Sequence, residues 1–373
     1  MRLKIGIIGA GFIAGRSHIP AIKKLGNRAE IIALADTRAD ALQHMAKYYN
    51  IEKTYTDPQL MLKENEFDLV HICTANRTHK EFAIAALRSG AHVLCEKPLA
   101  LNLQDAKEMF AEADKAGRML IACQNNRFGP MQKARELYKN GTLGDVYFAE
   151  LECTRSRGVP PWGRFHVEAE NGHGPLCDVG VHFIDAALFA FGNPQLKSAS
   201  ASTYRMIADK EDATRDCRGA MEGAQPYLPQ LDFNYHDFSV EDFAAGLLHF
   251  ENGLQMQLRF SWASNLPSRD YYRIAGSKAG LTFTKYLNLD NPLSLHTFEG
   301  GVLHSEEVVL PIKGTMTGLG HDMLIAHLAD VLQNGTECLI KREEMLNVVA
   351  AMDAFYRSAA YGREVTRSEL SAQ

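Results

Sequence analysis

The 373-residue chain reads as an α/β protein of two domains, a doubly wound parallel sheet followed by an α/β domain on a mixed, mostly antiparallel sheet. Three observations predict this. Up to about residue 123, short β-branched runs alternate with helically spaced segments; past residue 125 the alternating runs lengthen. The chain is also too long for one ordinary core and suits two domains of roughly 120 to 250 residues each. The division falls between residues 1–124 and 125–373.

In the first part, Lys4–Ile8, Ile31–Ala35, Leu69–Cys73, His92–Cys95 and Met119–Cys123 read as strands. Phe12–Leu25, Ala39–Tyr49, Lys80–Arg88 and Leu103–Ala116 have helical spacing, the last opened by Asn102 as N-cap and closed by Gly117. Strand and helix in regular succession imply a parallel sheet covered by crossover helices. In the second part a helical stretch, Met131–Asn140, precedes alternating runs at 145–155, 196–204, 240–250, 253–262, 270–276 and 280–286. The polar segment between Ile207 and Ser239 has no clear period and reads as a long loop near the mouth of the site. Two amphipathic helices, His321–Leu332 and Glu343–Ala360, close the chain.

Composition excludes several classes. Apolar residues make up 46% and charged residues 23%, the profile of a packed globular protein. A net charge of -5 and the absence of a basic run argue against nucleic acid as a partner. No window approaches the roughly 20 apolar residues that a membrane-spanning helix needs, so no membrane partner is expected. The apolar start is broken by Gly6, Gly9, Gly11 and Gly15, which does not suit a secretory signal. Seven scattered cysteines with no CxxC pair imply neither a disulfide framework nor a zinc knuckle, and fit a reducing cytoplasm.

The first strand runs into Gly9-Ala10-Gly11-Phe12-Ile13-Ala14, a GxGxxA element at a strand-to-helix turn. Gly9 permits the turn, Gly11 clears the backbone for a pyrophosphate, and small Ala14 lets helix pack on strand. The helix start offers free N–H groups and a positive dipole end to the anion. Asp36, at the end of the second strand, suits the ribose hydroxyls of a dinucleotide and repels a 2′-phosphate, which favours NAD over NADP. Arg38 nearby is the one feature that would tolerate the extra phosphate. The competing reading of Gly9 and Gly11 is a purely structural turn.

Glu96-Lys97-Pro98 follows a strand at the carboxyl edge, where open α/β sheets bind ligands, and a lysine there can steady a forming alkoxide. The plain alternative is a surface lysine paired with Glu96. Residues 175–192 read as an apolar helix in which Asp178, His182 and Asp185, at i, i+4 and i+7, share one face. Burying three such groups is costly unless they serve a ligand or one another. Histidine can take a hydroxyl proton and a carboxylate one turn away can orient it. The alternatives are a core histidine braced by Asp185 and a metal set of His173, Cys177, Asp178 and His182; the second has no zinc spacing, and no metal is expected.

Taken in order, Gly9–Ala14, Thr74-Ala75-Asn76-Arg77-Thr78-His79, Glu96-Lys97-Pro98 and the Asp178–Asp185 stretch resemble the glucose–fructose oxidoreductase, inositol dehydrogenase and rhizopine-catabolism family. The resemblance spans most of the chain. It implies an N-terminal Rossmann domain with NAD along the sheet's carboxyl edge, and a C-terminal α/β domain whose open, mostly antiparallel sheet forms the interface of a dimer or tetramer. Carried over, Lys97 holds the substrate hydroxyl, His182 is the acid/base and Asp178 orients the substrate or the histidine. Phe12, Ile13, Thr74, Asn76, His79 and Glu96 line the cofactor, and Arg155, Arg157, Trp162 and Asp185 face the substrate. Ala75 stands where many members have proline, and Gly172-His173-Gly174 where many have three glycines. The implied reaction interconverts alcohol and ketone on a sugar, sugar acid or cyclic polyol. A redox-neutral glycosidase or epimerase using held NAD, and a sensor without catalysis, are the alternatives.

Overall fold

The computed structural model describes residues 2–218, 227–228, 233–284, 293–308 and 316–371. In the N-terminal part, β1 (Leu3–Ile8), β2 (Ala29–Ala35), β3 (Thr54–Tyr55), β4 (Leu69–Ile72), β5 (His92–Cys95) and β6 (Leu120–Ala122) form one sheet in the order β3-β2-β1-β4-β5-β6. Every pairing is parallel. The order reverses between β1 and β4, and there a crevice opens at the carboxyl ends of the strands. The crossover helices are α1 (Ile19–Lys24), α2 (Ala39–Tyr49), α3 (Pro58–Glu64), α4 (His79–Arg88) and α5 (Leu103–Ala116). Asn102 caps α5 by accepting from Asp105 N at 2.8 Å, and Gly117 ends it at φ +62°. The sequence reading missed β3, two residues long, and α3, although Asp57 accepting from Gln59 N before Pro58 is a legible helix start.

The second part runs α6 (Pro130–Lys139), β7 (Val146–Thr154), α7 (Glu168–Asn171), α8 (Val181–Ala190), β8 (Leu196–Tyr204), α9 (Arg215–Arg218), β9 (Phe243–Phe250), β10 (Gln255–Ser261), β11 (Arg269–Gly276), β12 (Ala279–Phe283), β13 (Leu293–Glu299), β14 (Val302–Glu307), α10 (Met316–Asn334), α11 (Arg342–Tyr361) and β15 (Val365–Thr366). Nine strands form a second sheet, ordered β14-β13-β12-β11-β7-β10-β9-β8-β15. Among the described residues only β7 and β10 pair in parallel; the remaining pairs of this sheet are antiparallel. Alternation along β10 turns Met256, Leu258 and Phe260 inward against Phe183 of α8 and Phe355 of α11.

The two cores meet through the C-terminal helices. Leu324, Ile325 and Leu328 of α10 belong to the first core, and α11 gives Val349 to the first and Val348, Met352 and Phe355 to the second. The segment 207–239, expected as a long loop or insertion, is structured in its described residues: Ala208, Ala213 and Phe238 pack with Val159, Val240 and Trp262 in a third small core. Leu228 joins the first core, and the Tyr227 ring lies against Gly15, where an added Cβ would sit 2.3 Å from it. The segment therefore reaches the dinucleotide half as well as the expected mouth.

The predicted helix over 175–192 departs from the α form in its first turn. Leu176–Gly180 is a π turn, and α8 begins at Val181. An i→i+5 ladder carries more residues per turn than an α-helix, so residues seven apart no longer stack. Asp185, expected to face the substrate, is instead 0% exposed. Arg127, also fully buried, holds it through Nε at 3.1 and 3.0 Å and Nη2 at 2.6 Å, and reaches Glu344 of α11 with Nη1. Gly180 has a packing reason: a Cβ there would meet the Phe260 ring at 3.0 Å. Replacing Arg127 with Met would leave the buried Asp185 without its cation and Glu344 with the Arg135 guanidinium 4.0 Å away. A loss of about 3–5 kcal/mol in urea unfolding is expected, and a loss under about 1 kcal/mol would contradict this account of the triad.

Candidate active site

The glycine-rich turn has the form a dinucleotide needs. Gly9 sits at φ +104° with its would-be Cβ 2.4 Å from the Cys73 carbonyl oxygen, so only glycine fits between β1 and β4. At Gly11 a Cβ would meet nothing within 4 Å, leaving open backbone at the helix start. Asp36 braces the turn: Oδ2 accepts from Ala10 N at 2.6 Å and Oδ1 from Arg38 N at 2.8 Å. Each oxygen keeps lone-pair capacity for a ribose hydroxyl. The Arg38 Nε lies 3.9 Å from Asp36 Oδ1, and its side chain is half exposed. Phe12 lies between the Arg16 guanidinium, 5.4 Å from its centroid, and the Trp162 ring, stacked at 4.5 Å. Trp162, expected against a sugar, thus has one face on Phe12. Ile13 and Thr74 are half-buried beside the turn.

Lys97 and Asp178 meet across the two domains. The Lys97 ammonium donates to Asp178 Oδ1 at 2.8 Å and to its backbone oxygen at 2.7 Å. Asp178 Oδ2 accepts from the Trp262 indole at 3.1 Å, and the Phe165 ring lies 5.7 Å from the ammonium. Burial alone would depress the Lys97 ammonium, but Asp178 and then Glu96 override it and hold its pKa above the usual value. Burial likewise works to raise Asp178, and Lys97 outweighs it, keeping the carboxylate below its ordinary range. The positive charge of Arg155 acts on Asp178 in the same sense, while its Nη1 donates to Gly158 O at 3.0 Å. His182 is half-buried on the first turn of α8, four residues beyond Asp178.

Four residues expected to contact cofactor or substrate are turned elsewhere. His79 is fully buried with its ring nitrogens on the backbone oxygens of Pro98 at 2.8 Å and Thr74 at 3.2 Å, so it clamps two loops together. Asn76 Nδ2 donates to Asn171 O at 3.0 Å and Cys177 Sγ at 3.6 Å, tying the first domain to α7 and the π turn. Glu96 is 5% exposed and points inward, Oε1 toward His18 Nε2 at 2.8 Å and Oε2 toward Lys97 N at 3.0 Å. Arg157 donates to Asp212, Ser156 O, Ser264 O and Asn265, and so fastens the 207–239 segment, not a ligand. The metal set with His173 does not assemble: that ring lies flat on Tyr356 at 3.6 Å, and Cys177 faces Asn76.

Residues 3–123 match the family described as oxidoreductase family, NAD-binding Rossmann fold, and residues 131–282 match its GFO/IDH/MocA C-terminal domain. D-glucoside 3-dehydrogenase of Escherichia coli is 34% identical over 300 residues, 79% of this chain and 81% of that protein. Myo-inositol 2-dehydrogenase of Thermotoga maritima is 34% identical over 191 residues, 51% of this chain and 55% of that one. A levoglucosan dehydrogenase solved with NADH shares the fold at a TM-score of 0.79 and 20% identity, with 98% of this chain and 99% of that one covered.

Sequence reasoning missed Trp262 and Phe165, which no local spacing connects to Lys97, and it missed the support beneath the Gly-His-Gly loop. There Glu241 Oε1 accepts from Gly174 N at 2.9 Å and from the Tyr356 hydroxyl at 2.8 Å, while that hydroxyl accepts from Cys177 N at 3.0 Å. Burial pushes the Glu241 carboxyl up to about 7. The folded protein therefore binds a proton more tightly than the unfolded chain, and this stabilisation is full below about pH 4.5 and fades as pH rises through 7. Between pH 5 and 8 the wild type should lose up to roughly 3 kcal/mol relative to Glu241→Gln in paired unfolding titrations. Parallel stability curves for the two proteins would sink this assignment.

Proposed function

The chain belongs to the GFO/IDH/MocA oxidoreductase family, and we propose that it oxidises a secondary alcohol of a sugar or cyclic polyol with NAD, the reverse reduction using the same groups. The observation that carries this reading is the Lys97 ammonium at the carboxyl edge of β5, with two of its hydrogen bonds on Asp178. An ammonium has three donors, so one is left for a substrate oxygen. Bound NAD would supply the hydride acceptor, held by the Gly9–Gly11 turn and by Asp36, whose carboxylate favours it over NADP.

The residues of the chain divide the remaining work. Lys97 donates to the substrate hydroxyl and steadies the negative charge that grows on that oxygen as its proton leaves. His182 takes the proton. Asp178, fixed by the Trp262 indole, holds Lys97 charged and aimed. Arg155, whose charge acts on Asp178, would meet further hydroxyls. The Escherichia coli relative's name puts glucosides first among candidate substrates. The reading includes a reducing, cytoplasmic setting, supported by seven free cysteines, and a homo-oligomer, supported by exposed Phe298, Val302 and Leu303 on β13 and β14.

NAD reduction should be followed across glucosides, free sugars, sugar acids and inositols, with NADP in parallel. Turnover confined to one stereochemical group is expected. His182→Ala and Lys97→Met should each lower kcat by roughly 100- to 10,000-fold while NAD still binds. Near-wild-type turnover in both folded variants would overturn the roles of His182 and Lys97.

A further inference from the structure

Directly beneath the Lys97 turn lies a buried group of side chains that the proposed reaction does not use. His18 ends the π turn that follows the glycine-rich motif, Glu96 follows β5, Cys123 follows β6, and His321 lies in α10. One ligand atom from each of the four lies within 4.8 Å of all the others. Both imidazoles aim Nε2 at the same carboxylate oxygen, Glu96 Oε1, at 2.8 Å from His18 and 3.4 Å from His321. Their opposite nitrogens are anchored, His18 Nδ1 to His71 Nδ1 at 2.9 Å and His321 Nδ1 to Asn125 Nδ2 at 3.1 Å.

We propose that His18, Glu96, Cys123 and His321 form a closed site for one divalent transition-metal ion of the zinc kind. Charge is the first argument. A buried carboxylate requires a compensating cation, and the ammonium of the adjacent Lys97 is ion-paired with Asp178. A dipositive ion with one carboxylate, one thiolate and two neutral imidazoles sums to zero. Loading the ion forms four metal–ligand bonds and releases the Cys123 thiol proton to solvent.

Geometry and outer contacts are the second argument. Zinc bonds of about 2.0–2.3 Å set tetrahedral ligand atoms about 3.3–3.8 Å apart, so the four atoms need to shift by no more than about an ångström or slightly more. A metal-bound imidazole uses its far N–H to donate to an acceptor. His71 Nδ1 offers one to His18. Asn125 Oδ1 is buried without a hydrogen-bond partner among the described residues while its Nδ2 faces His321. A half-turn of that amide, which interchanges two atoms of nearly equal shape, gives His321 its acceptor and satisfies the oxygen.

Four protein ligands leave no open position, which marks a structural role. The ion would fix Glu96, whose other oxygen holds the Lys97 backbone, and would fasten α10 to the first domain.

The test is elemental analysis of the full-length protein, freed of any affinity tag, followed by cobalt loading after chelation. About one equivalent of metal per chain is expected, with tetrahedral cobalt bands and a thiolate charge-transfer band. Cys123→Ser should abolish the charge-transfer band, and His321→Ala should lower metal content at least tenfold. Folded wild-type protein that neither carries metal nor takes up micromolar zinc or cobalt would overturn the proposal and leave the four groups as a proton-sharing network. Should either variant fail to fold, wild-type occupancy and the cobalt spectrum decide the question alone.

Discussion

A buried ammonium at the carboxyl edge of a parallel sheet is tolerable only if a carboxylate comes to meet it. Lys97 arrives from the first domain and Asp178 from the second, with both side chains mostly out of solvent at 12% and 14% exposure. Removing either partner would strand a desolvated charge at a cost of about 3–5 kcal/mol. The pair therefore fastens the domains and fixes the position of the ammonium. Other features follow from keeping Asp178 in place. The π turn carries it, Phe260 presses that turn at Gly180, and Trp262, seated in the third small core, holds its second oxygen.

Several other buried polar groups lie along the same boundary. Arg127, just after β6, joins Asp185 of α8 to Glu344 of α11. Asn76 joins the β4 loop to α7 and Cys177, and Asp353 of α11 accepts from Leu103 N at the start of α5. Directional polar contacts of this kind specify one relative placement of two cores, which apolar packing alone does less sharply. The charges along this boundary are thereby compensated within the protein.

Much of this was legible in the sequence because periodicity and punctuation act locally. The order of strands and helices through α5, β3 and α3 apart, the Asn102 cap, the Gly117 stop and the glycine-rich turn itself all follow from residues within a few positions of one another. The resemblance makes Asp178 the partner of the substrate or of His182, and its ion pair with Lys97 follows from neither resemblance nor spacing. Long-range geometry stayed hidden. Nothing near Asp185 announces Arg127, fifty-eight positions away in sequence, and no pattern in 175–192 marks a π turn. The polarity of 207–239 concealed a small core because its apolar residues pack against Val159 and Trp262, not against one another in any period. Glu96 and His79 turn inward, which depends on His18 at the end of the first π turn and on the 97–98 turn, partners that no local rule supplies.

The central claim, that Lys97 and Asp178 work as one unit joining the domains and the chemistry, is most directly tested by a double-mutant cycle on kcat/KM with Lys97→Met and Asp178→Asn. The account predicts strong coupling, the double variant being little slower than the worse single variant, because each loss already disables the shared donor. Losses that multiply independently would contradict it and show two residues acting apart.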